Sequence, residues 1–355
     1  MAYIQSIGTA DAPFPHSQRD IFNFMLEMYQ IPSEDVDKVK RLYDRSEIET
    51  RYSAIHDFAL PKSQWTFIET EKVVSVEKRM QKFFEMAPAL CEKAIRQCMP
   101  DVGKWNEITH LITVSCTGLS APGLDIQLMQ RLALKPNIQR TSVNFMGCYA
   151  AIHALKQAND ICKANEMAKV LIVDIEFCTL HFQDVYSMEN VAASLLFADG
   201  AAAVLVSNES GMYAIENFYS EVAMTGYKDM AWNISSEGFL MTLSAYVPSI
   251  IAENIEPMLM NSLAHMNISK AAIQHWAIHP GGKKIISEIQ RALSLSDSDV
   301  AISRSVLRDY GNMSSVTILY VLQHMQQCIK APGETVYAVA FGPGLTIESL
   351  FLKSC

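Results

Sequence analysis

A chain of 355 residues, half of them hydrophobic, is long enough to bury one large α/β unit or two fused domains. Its net charge of −9 and pI near 5.5 argue against general nucleic-acid binding, so an anionic ligand must find a local basic patch. The sequence has no apolar run of about 18 residues, no basic leader ahead of an apolar stretch, and eight scattered cysteines without a C-x-x-C pair, a pattern that predicts a soluble cytoplasmic protein with reduced thiols and no structural zinc.

Residues 2–8 predict an opening strand, and 13–15 a loop ahead of a helix over 17–29. A second helix over 33–43 sets Lys38, Arg41 and Arg45 on one face, with Asp35, Asp37, Asp44 and Glu47 interspersed as on an ordinary solvated helix. Residues 71–98 read as one or two helices, with Pro88 close to a turn. From Glu107 onward the chain becomes strand-rich.

Residues 141–155 read as a strand end, a tight turn at Gly147 and an apolar helix. Cys148 falls at the start of that helix, where unpaired N–H groups and the positive end of the macrodipole favour a nucleophilic thiolate at neutral pH. The alternative is a packed core thiol. A sulfur at the buried end of a central helix acts only if a tunnel reaches it.

The pattern recurs further on. An apolar strand at His110 and another at His275 are 165 residues apart, the turns at Cys148 and Asn312 are 164 apart, and strands through Val170 and Val336 are 166 apart. Three pairs in register predict a duplicated α/β architecture of two pseudo-symmetric halves, 1–210 and 211–355, each contributing one sheet. Equivalent helix starts then face one another, bringing Cys148 and Asn312 together, with His279 at the carboxyl end of a neighbouring strand. An imidazole can pair with a thiolate, and a neutral amide can hold an oxyanion. Cys, His and Asn therefore suit acyl transfer through a thioester, although a cysteine protease uses the same residue types, and an acyl-binding scaffold of this fold needs no chemistry at all.

Gly147-Cys148, His279-Pro280-Gly281-Gly282, Gly311-Asn312-Met313-Ser314-Ser315 and Phe341-Gly342-Pro343-Gly344, in this order and spacing, resemble the type III polyketide synthases, the chalcone and stilbene synthase-like enzymes. The resemblance runs from Ile4 to Leu352. Ketoacyl synthases that start fatty acid synthesis are similar in layout but differ at the second-half asparagine and final glycine motifs, and nothing papain-like surrounds Cys148.

The resemblance implies a thiolase-like fold with αβαβα layers, a homodimer, and an acyltransferase that needs no bound cofactor or metal. It implies condensation of malonyl-CoA onto a starter acyl-CoA, followed by cyclisation to a pyrone, resorcinol or phloroglucinol type of secondary metabolite. Cys148 matches the acyl-carrying nucleophile, His279 its base, and Asn312 the second donor to the enolate. Lys38, Arg41 and Arg45 match the positions that hold the CoA phosphates, which changes the reading of their helix face. Phe197 matches an aromatic gate, whose partner position falls on Met241. Thr117, Gly281, Gly282, Ser314, Phe341, Gly342 and Pro343 belong by the same resemblance to the substrate surroundings. Cys116 replaces a threonine of the plant enzymes, and Ala121 replaces a methionine that reaches into the neighbouring subunit's cavity; Pro122 makes a cis bond available there. His181 stands where a threonine is usual and Trp232 near a glycine position. If Trp232 lines the cavity, small starters such as acetyl or malonyl units are favoured; if it packs the outer wall, it sets no limit. A fatty starter needs a side tunnel beside Cys116.

Overall fold

The computed structural model describes residues 1–68, 73–224, 227–235, 238–244 and 246–355. Strand β1 (Tyr3–Asp11) is followed, where a plain loop was expected, by a short strand β2 (Phe14–Ser17) paired with β3 (Thr50–Ser53). Ser17 then caps α1 (Gln18–Tyr29) in a reciprocal capping box with Asp20, and α2 (Ser33–Asp44) carries the charged face. The third helix, α3 (Val76–Cys98), runs uninterrupted through Pro88, where a turn was expected; the anticipated start at residue 71 lies outside the described residues. Phe83, Ala87, Leu90, Cys91, Ala94 and Ile95 form a continuous buried stripe along it. Burial of that stripe outweighs the roughly 3 kcal/mol that an interior proline costs a helix.

The remaining elements in order are β4 (His110–Ser115), α4 (Leu124–Arg131), β5 (Gln139–Asn144), α5 (Ala150–Ala164), β6 (Lys169–Phe177), α6 (Met188–Leu196), β7 (Asp199–Ser207), β8 (Tyr213–Val222), β9 (Met230–Ser235) and β10 (Gly238–Leu243). Then come α7 (Val247–Met266), β11 (His275–Ile278), α8 (Lys283–Ala292), α9 (Asp297–Tyr310), α10 (Val316–Met325), β12 (Thr335–Gly342) and β13 (Thr346–Ser354). The main sheet has the order β11-β12-β13-β8-β1-β7-β6-β4-β5. Read outward from its centre, β1-β7-β6-β4 on one side answers β8-β13-β12-β11 on the other, and only β5 lacks a counterpart. The two halves do not keep separate sheets as expected. Tyr3 pairs with Ala214 and Ile4 with Tyr213, a short antiparallel seam between β1 and β8 that joins them into one nine-stranded sheet.

Side-chain alternation sorts the core into layers. In β6, Leu171, Val173, Ile175 and Phe177 face one cluster that includes α3, while Val170 and Ile172 face a second cluster built around α5 and α10. A third cluster packs α7, α8 and α9 on β11, β12 and β13. Helices α5 and α10 touch each other and strands of both halves, so they form the central layer of an αβαβα arrangement. On the outer face of the first half, β1 approaches α3 at Gly8, where a Cβ would lie 2.3 Å from the Ala94 carbonyl oxygen and 2.3 Å from the Cys98 nitrogen. Gly8→Ala is therefore expected to destabilise the fold by about 1–3 kcal/mol, seen as a lower urea midpoint at unchanged slope; an unaltered midpoint would show that α3 can step away.

Candidate active site

The turn after β5 is shaped by two glycines that interlock. Gly147 has φ 83° and would drive a Cβ to 2.2 Å from Pro343 Cδ, while a Cβ on Gly342 would lie 2.4 Å from the Tyr149 ring. Only bare backbone at both sites lets the segment after β12 lie against the turn. Cys148 sits two residues ahead of the first residue of α5, and the Gly147 N–H donates to Cys116 Sγ at 3.1 Å.

Across the central layer, Asn312 lies in the segment leading into α10. Its backbone N–H donates to the Leu196 carbonyl at 3.0 Å and its carbonyl accepts from Ala198 N–H at 2.8 Å, which ties it to the segment carrying Phe197. Asn312 Oδ1 accepts from Ser314 N–H at 2.9 Å, and Nδ2 donates to the Gly281 carbonyl at 3.2 Å. These two bonds fix the amide orientation and leave the second N–H of Nδ2 for a ligand. His279 directly follows β11 and is anchored by its N–H to the Val339 carbonyl at 2.8 Å. Cys148, His279 and Asn312 line one cavity.

Electrostatics in that cavity differ from the sequence expectation. Burial pushes the Cys148 thiol up to about 12, against a lowering hydrogen bond from Ser314, and burial pulls the His279 imidazole down to about 3. Among the described residues neither ring nitrogen of His279 has a hydrogen-bond partner. Burial thus works against the thiolate expected at neutral pH, because the loss of water opposes what the helix start offers.

Sequence reasoning missed the carboxylates beneath the nucleophile. Asp174 and Glu176 alternate with the outward residues of β6 and therefore face the central layer. Ser315 Oγ lies within hydrogen-bond distance of both Asp174, at 2.8 Å, and Glu176, at 3.0 Å, and Glu176 accepts the Cys116 N–H at 3.0 Å. Burial raises the affinity of both carboxyls for a proton, and their proximity raises it further at Asp174. Two acids in an otherwise apolar buried strand were the available signal.

The cavity has an accessible volume of about 60 Å³. Met230, Ala231 and Trp232 of β9 and Met241 of β10 close one side of it; Cys116, Gly147, Glu176, Cys178, His181, Phe197, Gly281, Ile285, Ser314, Phe341 and Pro343 also line it. Trp232 thus lines the cavity. Its hairpin, β9 with β10, is separate from the main sheet. Gln183 Nε2 holds it by bonding the His181 carbonyl at 3.0 Å and the Phe239 carbonyl at 3.1 Å. A second cavity of about 40 Å³ shares Cys178, His181, Phe197, Trp232 and Met241 with the first.

Some expected residues lie outside the cavity wall. Thr117 stands behind His181, with Oγ1 2.9 Å from Nε2; Gly282 caps α8, and Gly342 backs the Cys148 turn. Lys38, Arg41 and Arg45 are exposed on the outer surface, where α2 packs on α6 and the Tyr186 hydroxyl donates to Asp35 at 2.8 Å. Lys38 is itself paired with Asp35 at 2.5 Å. The Ala121-Pro122 bond is cis, and Ala121 lines a different surface cavity from the one holding Cys148.

Layering and cavity together define an acyl-condensing enzyme of the thiolase-like class, and known proteins agree. PKS-I from the brown alga Ectocarpus siliculosus superposes with a TM-score of 0.91 at 27% identity, covering 100% of this chain and 98% of that one. The C-terminal type III polyketide synthase domain of "Steely1", a type I/III hybrid from Dictyostelium, matches with the same score and identity over 99% of each chain. "Probable polyketide synthase 1" of Dictyostelium discoideum is 29% identical over 99% of this chain, which spans only 11% of that relative's length. "Alpha-pyrone synthesis polyketide synthase-like Pks18" of Mycobacterium tuberculosis is 30% identical over 99% of this chain and 90% of its own. Residues 1–210 match the N-terminal domain, and 216–355 the C-terminal domain, of the chalcone and stilbene synthases. The chain belongs to that family, the type III polyketide synthases, acyltransferase-type condensing enzymes that use CoA thioesters. Among the described residues no helix is long and apolar enough to cross a membrane, and no group of His, Cys, Asp and Glu could hold a metal ion.

Because burial disfavours the charged forms of both Cys148 and His279, alkylation of Cys148 by iodoacetamide in the free enzyme, followed by mass mapping of its peptide, is expected to keep accelerating from pH 7 past pH 9. A rate that levels off by pH 7 would mean a preformed thiolate–imidazolium pair.

Proposed function

We propose that this chain loads a small starter acyl-CoA onto Cys148, extends it with malonyl-CoA and releases a short cyclised polyketide, with an α-pyrone as the product type. The observation that carries this reading is the convergence of Cys148, His279 and the oriented amide of Asn312 on one enclosed cavity. The neutral His279 takes the thiol proton as Cys148 Sγ attacks the starter thioester, so charge separates only with bond formation, and the proton leaves with the CoA thiol. Malonyl-CoA then loses carbon dioxide, and the negative charge that develops on its thioester oxygen meets His279 and the free N–H of Asn312. The enolate carbon attacks the Cys148 thioester carbonyl, forming the new carbon–carbon bond as the bond to Sγ breaks; the lengthened chain, now a CoA thioester, is transferred back to the freed Cys148 with release of CoA, and repetition lengthens the chain.

Exposed Lys38, Arg41 and Arg45 suit the CoA phosphates, and Phe197 with Met241 suits a gate, since both line the two cavities. Trp232 in the wall argues for acetyl or malonyl starters. The name of the mycobacterial relative, at 30% identity, supports a pyrone. Residues 1–210 and 211–355 act as two halves of one catalytic unit, the first giving Cys148 and the second His279 and Asn312. An edge strand supports a homodimer: among the described residues β5 pairs only with β4 and exposes Gln139, Arg140, Thr141, Ser142 and Asn144, a ledge that a second copy can cover. Eight cysteines free of disulfides suit the cytoplasm.

Asn312→Ala should lower release of carbon dioxide from malonyl-CoA by some hundredfold, the roughly 3–4 kcal/mol attached to one preorganised donor, while intact-mass analysis still detects acylated Cys148. Undiminished decarboxylation would remove Asn312 from the enolate site, and no carbon dioxide from the parent protein would favour an acyl-binding scaffold. Offered acetyl-, hexanoyl-, long-chain and aromatic acyl-CoA in parallel, the enzyme is expected to prefer acetyl-CoA, and Trp232→Gly to admit a larger starter or lengthen the product. An unchanged product spectrum in that variant would show that Trp232 sets no limit.

A further inference from the structure

Four buried polar atoms without a hydrogen-bond partner belong to side chains lining the catalytic cavity: both ring nitrogens of His279, Nδ1 of His181 and Nε1 of Trp232. Leaving such a group unpaired is costly, and of these side chains the reaction above engages only His279. The other two sit on touching rings. His181 and Trp232 meet edge to face at 4.8 Å, and both border the smaller cavity as well, so they stand where the two spaces join.

Burial and the charge of Arg79 hold His181 neutral, which leaves its ring one N–H and one lone pair. Its Nε2 engages Thr117 Oγ1. If Nε2–H donates to Thr117, Nδ1 accepts; if the Thr117 hydroxyl donates, Nδ1 carries the proton. Trp232 Nε1 can only donate. A donor beside a group that accepts or donates matches an enolised 1,3-dicarbonyl, whose keto oxygen takes the indole N–H and whose enol O–H gives to Nδ1.

We propose that His181 and Trp232 form a hydrogen-bonding pair that holds one β-keto-enol unit of the chain tethered to Cys148, and that this register decides which ring closes. The inference rests on the synthase reading and adds chemistry to what is otherwise a limit of volume. Thr117 is a positioning residue in it, since its hydroxyl sets the tautomer of His181.

The test replaces Trp232 site-specifically with 3-benzothienylalanine, which substitutes sulfur for the N–H in a ring of nearly the same shape, and compares His181→Leu with His181→Gln. The readout is the ratio of the parent's main ring product to all other products, per CoA released, so a general loss of activity leaves it in place. A shift of about fivefold is expected from the benzothienyl protein and from His181→Leu, the factor that one hydrogen bond of about 1 kcal/mol represents. His181→Gln, which still donates and accepts, should restore most of the parent ratio. A parental ratio in the benzothienyl protein and in His181→Leu, or equal shifts for Leu and Gln at 181, would overturn the pair and leave volume alone. If the benzothienyl protein does not fold, the two His181 variants decide the question. No CoA release by the parent protein would instead bring down the synthase reading, and this inference with it.

Discussion

The cavity chemistry depends on one packing constraint, the burial of α5 and α10 against each other between the two halves of the sheet. Val316 to Leu322 of α10 are buried without interruption, whereas α5 buries one face, through Ala150, Ala151, Ala154, Leu155, Ala158 and Cys162, and leaves Asp160 and Lys163 exposed on the other. A helix such as α10 has no solvated face, so it is stable only inside a layer, and the apolar face of α5 is buried against it. Once they are there, the segments entering them, with Cys148 on one and Asn312 on the other, open at the same end of the layer. The glycines at 147 and 342 complete the arrangement by letting backbone lie where any side chain would collide. Catalytic geometry is in this sense a by-product of filling the central layer.

The same burial governs the proton. A nucleophile in contact with water could hold a thiolate at rest at little cost, but the enclosed position of Cys148 makes an isolated charge expensive, and the same holds for His279. Charge therefore appears in this pocket only when a substrate oxygen or leaving group shares it. A poorly screened oxyanion also gains most from a fixed amide donor, so the property that keeps the resting enzyme uncharged strengthens the Asn312 contact when charge develops. The buried acids Asp174 and Glu176 fit this pattern, since burial favours their protonated forms and Ser315 bridges them.

Much of this was legible in the sequence, for reasons that can be named. The Gly147-Cys148 turn, the strand ending at His279 and the turn at Asn312 stand out because backbone constraints demand glycine there and because the duplication repeats their spacing. What was not legible depends on distant partners. Pro88 left one helix or two open, because the sheet that holds α3 straight is remote in sequence. The seam between β1 and β8 involves only two residue pairs and leaves no periodic signal. Cys148 read as a thiolate because its helix start is local, whereas the desolvation that opposes it comes from the whole pocket. Glu176 lay inside a strand whose alternation, once the central layer is known, points it at Cys116.

The wall opposite the nucleophile obeys a different constraint from the core behind it. Residues of β9 and β10 pair only with each other, and their attachment runs through Gln183 and a cluster of rings in which His181 stacks on Phe239 at 4.5 Å and Phe239 meets Phe145 edge to face at 5.8 Å. A substitution in this hairpin changes the space and the hydrogen-bonding groups that a growing chain meets, yet leaves the sheet and the α5–α10 layer untouched. Changes at Cys148, His279 or Asn312 have no such freedom, because Cys148 enters α5, His279 is bonded to β12 at Val339, and Asn312 is bonded to Leu196 and Ala198. Condensation and product choice are thereby carried by separate parts of the fold, which lets one vary while the other is held fixed.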